Sequence, residues 1–134
     1  MTAPAELLTQ NLELVCADEN FLVERIYHEF FTRYPEAKEL FCKYSEPGKR
    51  QMVRETFMYA IDHLEGAPWV ASNLLSLGRK HYAYEVTDEM YAWFTESILR
   101  VFAEISGSQW NTELEGHWRD LLTQLSDFML QAEV

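Results

Sequence analysis

The chain is short of structural punctuation. Its 134 residues contain four prolines and five glycines. A sandwich or barrel of short strands needs turn signals roughly every 8–12 residues, and these breakers are too few and too clustered to supply them. Cysteine is scarcer still: Cys16 and Cys42 show neither a CxxC spacing nor a matching histidine pair, which argues against a zinc module. Both read as buried thiols of a reducing compartment, with a disulfide allowed but not needed. No apolar run reaches membrane-spanning length. The opening "MTAPAELLTQ" has neither the basic start nor the apolar stretch of a signal peptide, so the expected location is the cytoplasm. Positive charge is also thin, with 11 Lys and Arg against 22 Asp and Glu for a formal net charge of −11. That balance argues against nucleic-acid phosphate and against anionic membranes as partners. Its plain consequence is solubility.

Aromatic residues, by contrast, are plentiful: 4 Trp, 7 Tyr and 8 Phe. The length fits one domain over residues 1–134, large enough to bury most of its apolar surface without disulfides or metals. A core so rich in rings leaves room for a large flat ligand. The apolar pattern is helical almost throughout, and no strand-like alternation persists. Pro4 suits the first turn of a helix over 4–17 carrying Leu7, Leu8, Leu12 and Val15. A second helix starts near Asp18, carries Phe21, Leu22, Ile26, Phe30 and Phe31, and must end by Tyr34 because Pro35 follows. "PEAKELF" is a short helix and "YSEPGKR" a loop with a proline–glycine turn. Further helices are expected over 49–65 and 68–82, then from the N-cap Thr87 to Ile105, and over 112–131. The fold class is therefore all-α, with loops better suited to steeply crossed helices than to an up-and-down bundle.

One histidine stands apart from the other three. His28, His63 and His117 have charged or mixed neighbours and read as surface residues. His81 lies at the end of an apolar stripe, one and two turns after Leu77 and Leu74, with Val86 just beyond. A buried imidazole needs a partner, either a carbonyl or a metal. No second ligand stands at metal spacing, so a bare ion would be poorly held. A macrocycle that brings four nitrogens of its own needs only one axial protein ligand.

The segment "LGRKHYAYEVTDEMY" resembles the proximal-histidine region of the globins, particularly bacterial single-domain globins and the haem domain of flavohaemoglobins. "YHEFFTRYPEAKELF" is similar to that family's second helix and proline corner, and "HWRDLLTQLSDFML" to its last helix. Together they span nearly the whole chain. The resemblance implies a globin-like three-over-three helical fold with one pocket for haem b. It implies His81 as the iron ligand, Phe41 wedged against the haem face, and Tyr27 as a distal hydroxyl donor. Leu77 would pack beneath the porphyrin, Val86 at its edge, and Met52, Val53, Thr56 and Phe94 around it. Lys80, or else Arg79, would pair with a haem propionate. The family often has His or Gln at the distal position of the third long helix. Here that position falls on Gly48, Lys49 or Met52, depending on which apolar residue faces the haem. Tyr91 matches a tyrosine that flavohaemoglobins pair with a glutamate, and counting along the last helix puts Glu133 at that glutamate.

By the resemblance the protein binds dioxygen reversibly, along with nitric oxide or carbon monoxide, as a monomer or homodimer. If it is instead an enzyme, it is a nitric oxide dioxygenase in which Tyr27, Tyr91 and Glu133 serve the chemistry. No dinucleotide motif is present, so a separate reductase would be the partner. The third reading is a globin-fold sensor module.

Overall fold

A computed structural model describes residues 3–41 and 46–131. Among the described residues it is built from α-helices: α1 (Pro4–Val15), α2 (Glu19–Arg33), α3 (Pro35–Phe41), α4 (Glu46–Leu64), α5 (Val70–Ala83), α6 (Asp88–Ser106) and α7 (Thr112–Leu130), with 3₁₀ turns at 16–18 and 107–109. No described helix is long and apolar enough to cross a membrane. Layers of α1, α4 and α5 over α2, α6 and α7 make the three-over-three arrangement. Within it α2 runs along α6, α5 and α4 lie on α7, and α1 crosses α6 and α7.

The helix boundaries have local causes. Asp18 caps α2, its carboxylate accepting from the Phe21 N–H at 3.1 Å. Tyr34 leaves helical geometry (φ −129°, ψ 74°) because the Pro35 ring crowds the residue before it. Thr87 caps α6 through the Met90 N–H, and Asn111 caps α7 through the Leu114 N–H at 2.8 Å. The expected loop over 44–50 is corrected: α4 begins at Glu46, so Pro47 and Gly48 lie in its first turn. A proline is tolerated there because its missing N–H would have no partner in the helix anyway. Helix α5 starts at Val70 rather than 68. Phe21, expected inward on the second helix, is 48% exposed, and Cys16 is a free, half-buried thiol whose pKa is raised by burial and then by Glu19. Cys42 lies outside the described residues.

The core is centred on Trp118, Phe102 and Phe57, with Trp118 meeting Phe102 edge-on at 5.0 Å between centroids. Beside it sits a buried polar junction. The Asn11 amide donates to the Ser106 hydroxyl at 2.8 Å, and its oxygen accepts from the Trp118 indole N–H at 2.9 Å. One side chain thereby joins α1, α6 and α7 with its polar atoms paired.

Where α5 crosses α7 the backbones touch. A Cβ on Gly78 would lie 2.1 Å from the Met129 carbonyl oxygen and 2.8 Å from its Cα, so only glycine permits this approach. A second cavity, of about 340 Å³, opens between α1, α2 and α4 and is walled by Leu12, Cys16, Leu22, Val53, Phe57 and Ile61.

Three substitutions test these contacts. Asn11→Leu leaves the Trp118 and Ser106 groups without partners and should lower the unfolding free energy by about 1–3 kcal/mol in urea titrations. Gly78→Ala forces α5 off α7 and should cost about 1–3 kcal/mol. The same change at Gly116, where an added Cβ meets nothing within 4 Å, should stabilise α7 by up to about 1 kcal/mol. Equal effects at the two glycines would show that the crossing is not close-packed.

Candidate functional site

Helices α3 to α7, together with Phe30 of α2, enclose a cavity of about 260 Å³. Its walls are aromatic and aliphatic, and its mouth is marked by the exposed Gly48, Gln51 and Tyr84. Two of the hydroxyls in the wall are spent on their own helices: Thr56 donates to the Met52 carbonyl at 2.9 Å and Ser126 to the Leu122 carbonyl at 3.0 Å. Tyr59, also in the wall, has its pKa raised by burial and by the nearby Glu55 and Asp62, so its phenol stays protonated at neutral pH. The interior therefore suits a large ligand with an apolar body and a polar edge that stays at the mouth.

His81 is the imidazole in that wall. It stands in the last turn of α5, and its Nδ1 lies 2.9 Å from the Leu77 carbonyl one turn earlier. A carbonyl can only accept, so Nδ1 carries the proton and Nε2 keeps the lone pair. The backbone around it is braced as well. The Tyr84 and Val86 N–H groups both bond the His81 carbonyl, at 3.1 and 3.0 Å, and Glu85 turns the chain through a left-handed φ of 66°. That turn brings Val86 back into the cavity wall. Tyr91 lies beside the imidazole, ring centroids 6.1 Å apart.

On the opposite side, Phe30, Phe41 and Phe94 pack edge to face at 5.2 and 5.9 Å around Phe30. Tyr27 lies behind Phe41, 5.6 Å from it. Its hydroxyl donates to the Lys49 carbonyl at 2.7 Å, and the Lys49 ammonium sits 5.9 Å above both the Tyr27 and the Phe31 rings.

Of the residues singled out in the sequence, Phe41, Met52, Thr56, Leu77, His81, Val86, Tyr91 and Phe94 converge on the one cavity. Val53 does not. Helix α4 has two apolar faces, and Val53 turns with Phe57 toward α1 and α2 while Met52 and Thr56 turn to the cavity. Lys80 and Arg79 are exposed and outside the wall, because Leu77 and His81 take the cavity face of α5 and Gly78 the α7 face. Tyr27 is buried but stands behind the lining rather than in it, its hydroxyl held by Lys49. Glu133 lies outside the described residues. His28 is exposed, His63 bonds Gln124 at 2.8 Å, and His117 faces Glu113; none of the three lines the cavity. The sequence reading missed Leu122, Leu125 and Met129 as site residues. They lie on the apolar stripe of α7, where a period of 3.6 marks them as inward but not as facing a void.

The donor chemistry fits haem. Among the described residues no three His, Cys, Asp or Glu side chains stand together to hold a bare ion. One imidazole nitrogen facing an apolar slot is what a macrocycle with four donors of its own requires.

Comparison with known proteins agrees. The Globin family matches residues 24–129. An uncharacterised globin-like protein of Aquifex aeolicus (strain VF5) is similar, 29% identical over 86 residues, which are 63% of this chain. The match spans 60% of that relative's length. The family typically binds haem. The chain belongs to the globin family.

Proposed function

We propose that this globin holds one haem b with His81 as the axial protein ligand and binds dioxygen reversibly, with nitric oxide and carbon monoxide as alternative ligands. The observation that carries the reading is the His81–Leu77 hydrogen bond at 2.9 Å. It fixes the tautomer and the ring orientation with Nε2 free to donate, the arrangement an axial imidazole needs. When bound, haem supplies an iron with an open axial position for a diatomic gas.

The chain's own residues do the rest. Leu74, Leu77, Phe41 and Phe94 all line the cavity and would pack against the bound ring. Tyr27 is the distal donor in this reading. Its hydroxyl already makes a 2.7 Å bond to Lys49, so turning toward a gas ligand exchanges one acceptor for another.

A second reading, a nitric oxide dioxygenase served by a separate reductase, is favoured by Tyr91 lying beside His81. A phenol there can steady the imidazole and tune what it donates to iron. The carrier reading takes precedence because it needs no partner beyond the gas.

The purified protein should show an intense Soret band that shifts with carbon monoxide, and His81→Ala should lose most of its haem on gel filtration. Tyr27→Phe should speed dioxygen release. A donor to a partly charged acceptor contributes about 1.5–3 kcal/mol. The bond surrendered at Lys49 offsets part of it, which puts the change near tenfold in stopped-flow traces. An unchanged rate removes Tyr27 from the role. Nitric oxide consumption that rises only when a reductase system is added would move the assignment to the enzyme.

A further inference from the structure

The back of α4 faces an opening that haem binding does not use. An open groove of about 340 Å³ runs between α1 and α4, with Leu22 of α2 at its base. Helix α1 packs on α6 and α7, and α4 on α5 and α7, which leaves a trough between the two. No imidazole lines it among the described residues, and its α4 wall is a different face from the one that carries Met52 and Thr56. The groove is therefore separate from the haem cavity.

Both of its walls are helical stripes. Thr9, Leu12 and Cys16 line one side, and Val53, Phe57 and Ile61 the other. Each stripe runs about 10–12 Å at 1.5 Å per residue, the length of two helical turns. Leu12, Val53 and Phe57 are buried within it, while Met58 at the edge is 56% exposed. A trough of that length with ridged apolar sides is complementary to a helix carrying large apolar residues at i, i+4 and i+7.

The charge on the rim selects the kind of helix. Arg54 is the one lysine or arginine that lines the groove among the described residues, and it is spent on Glu19 at 2.7 Å. Glu13 stands exposed on the rim, and Glu6, two turns earlier on the same stripe of α1, is exposed as well. The chain as a whole carries −11. A second copy would bring like charge to the contact, and an acidic partner would be repelled.

We propose that the groove between α1 and α4 is a docking surface for a basic amphipathic helix of a protein partner. The apolar face of that helix fills the trough, and its lysine or arginine flank meets Glu13 and Glu6. Met58, unbranched and exposed, adapts to the side chain that enters beside it.

The test uses the full chain at physiological ionic strength. The probe is a fluorescein-labelled leucine–lysine peptide of roughly 18 residues, long enough to hold a helix, with the leucine–glutamate peptide of the same pattern as charge control. Fluorescence anisotropy reads the binding. The alkylation rate of Cys16, which lines the groove and is resolved from Cys42 by peptide mapping, reads its place. That reaction is run at alkaline pH, because burial and Glu19 keep the Cys16 thiol protonated. Saturating leucine–lysine peptide should slow Cys16 alkylation severalfold. Glu13→Lys should weaken binding roughly tenfold, and Met58→Gln about threefold. Glu24→Lys, at an exposed position outside the groove, should change it by less than about twofold, since salt screens distant charge. Binding that leaves Cys16 alkylation unchanged overturns the inference. So does equal weakening by Glu13→Lys and Glu24→Lys, which would place the peptide on the acidic surface at large, or equal binding of the leucine–glutamate peptide. Self-association that shields Cys16 without peptide gives the groove to a second copy, and shielding by dodecylammonium but not by the peptide gives it to a small amphiphile; either result overturns the proposal.

Discussion

Everything at the site depends on one hydrogen bond inside one helical turn. His81 stands in the last turn of α5, two residues before its end, and its ring reaches back one turn to the Leu77 carbonyl. The imidazole takes up that carbonyl, and in doing so it settles which nitrogen is protonated and which way the ring lies. The helix does not run on past Ala83. The chain instead leaves through the left-handed Glu85, which folds Val86 back against the same cavity.

That turn is useful only if α5 stands at a fixed height over the cavity, and Gly78 sets the height. It lies one turn before His81 on the adjacent face, where the Met129 backbone occupies the space a side chain would take. The imidazole and the glycine are therefore parts of one arrangement: one points the donor, the other fixes its distance from the opposite wall. The distal wall is held differently. There the tie is a tyrosine hydroxyl on a backbone carbonyl, reinforced by a cation lying over two rings.

Much of this was legible in the sequence because it is periodic or punctuated. Pro35 and Thr87 end or start helices by rules that act on neighbouring residues, and the stripe of Leu74, Leu77 and His81 follows from a 3.6-residue period. Two kinds of fact were not legible. One is the division of α4. Its apolar residues cover more than half of its circumference, so adjacent Met52 and Val53 both read as inward, and only the packed neighbours decide that they face different voids. The other is the acceptor of the Tyr27 hydroxyl, a backbone carbonyl 22 residues away that carries no side-chain signature.

The void behind Val53 gives the two walls unequal stiffness. Helix α4 borders the ligand cavity on one face and an open groove of about 340 Å³ on another, whereas α5 rests directly on peptide backbone. A bulky guest would be accommodated first by the helix bordered by open space, leaving the one that presents the imidazole where it is. The closest backbone contact thus lies behind the helix that carries His81 and not behind the wall across from it.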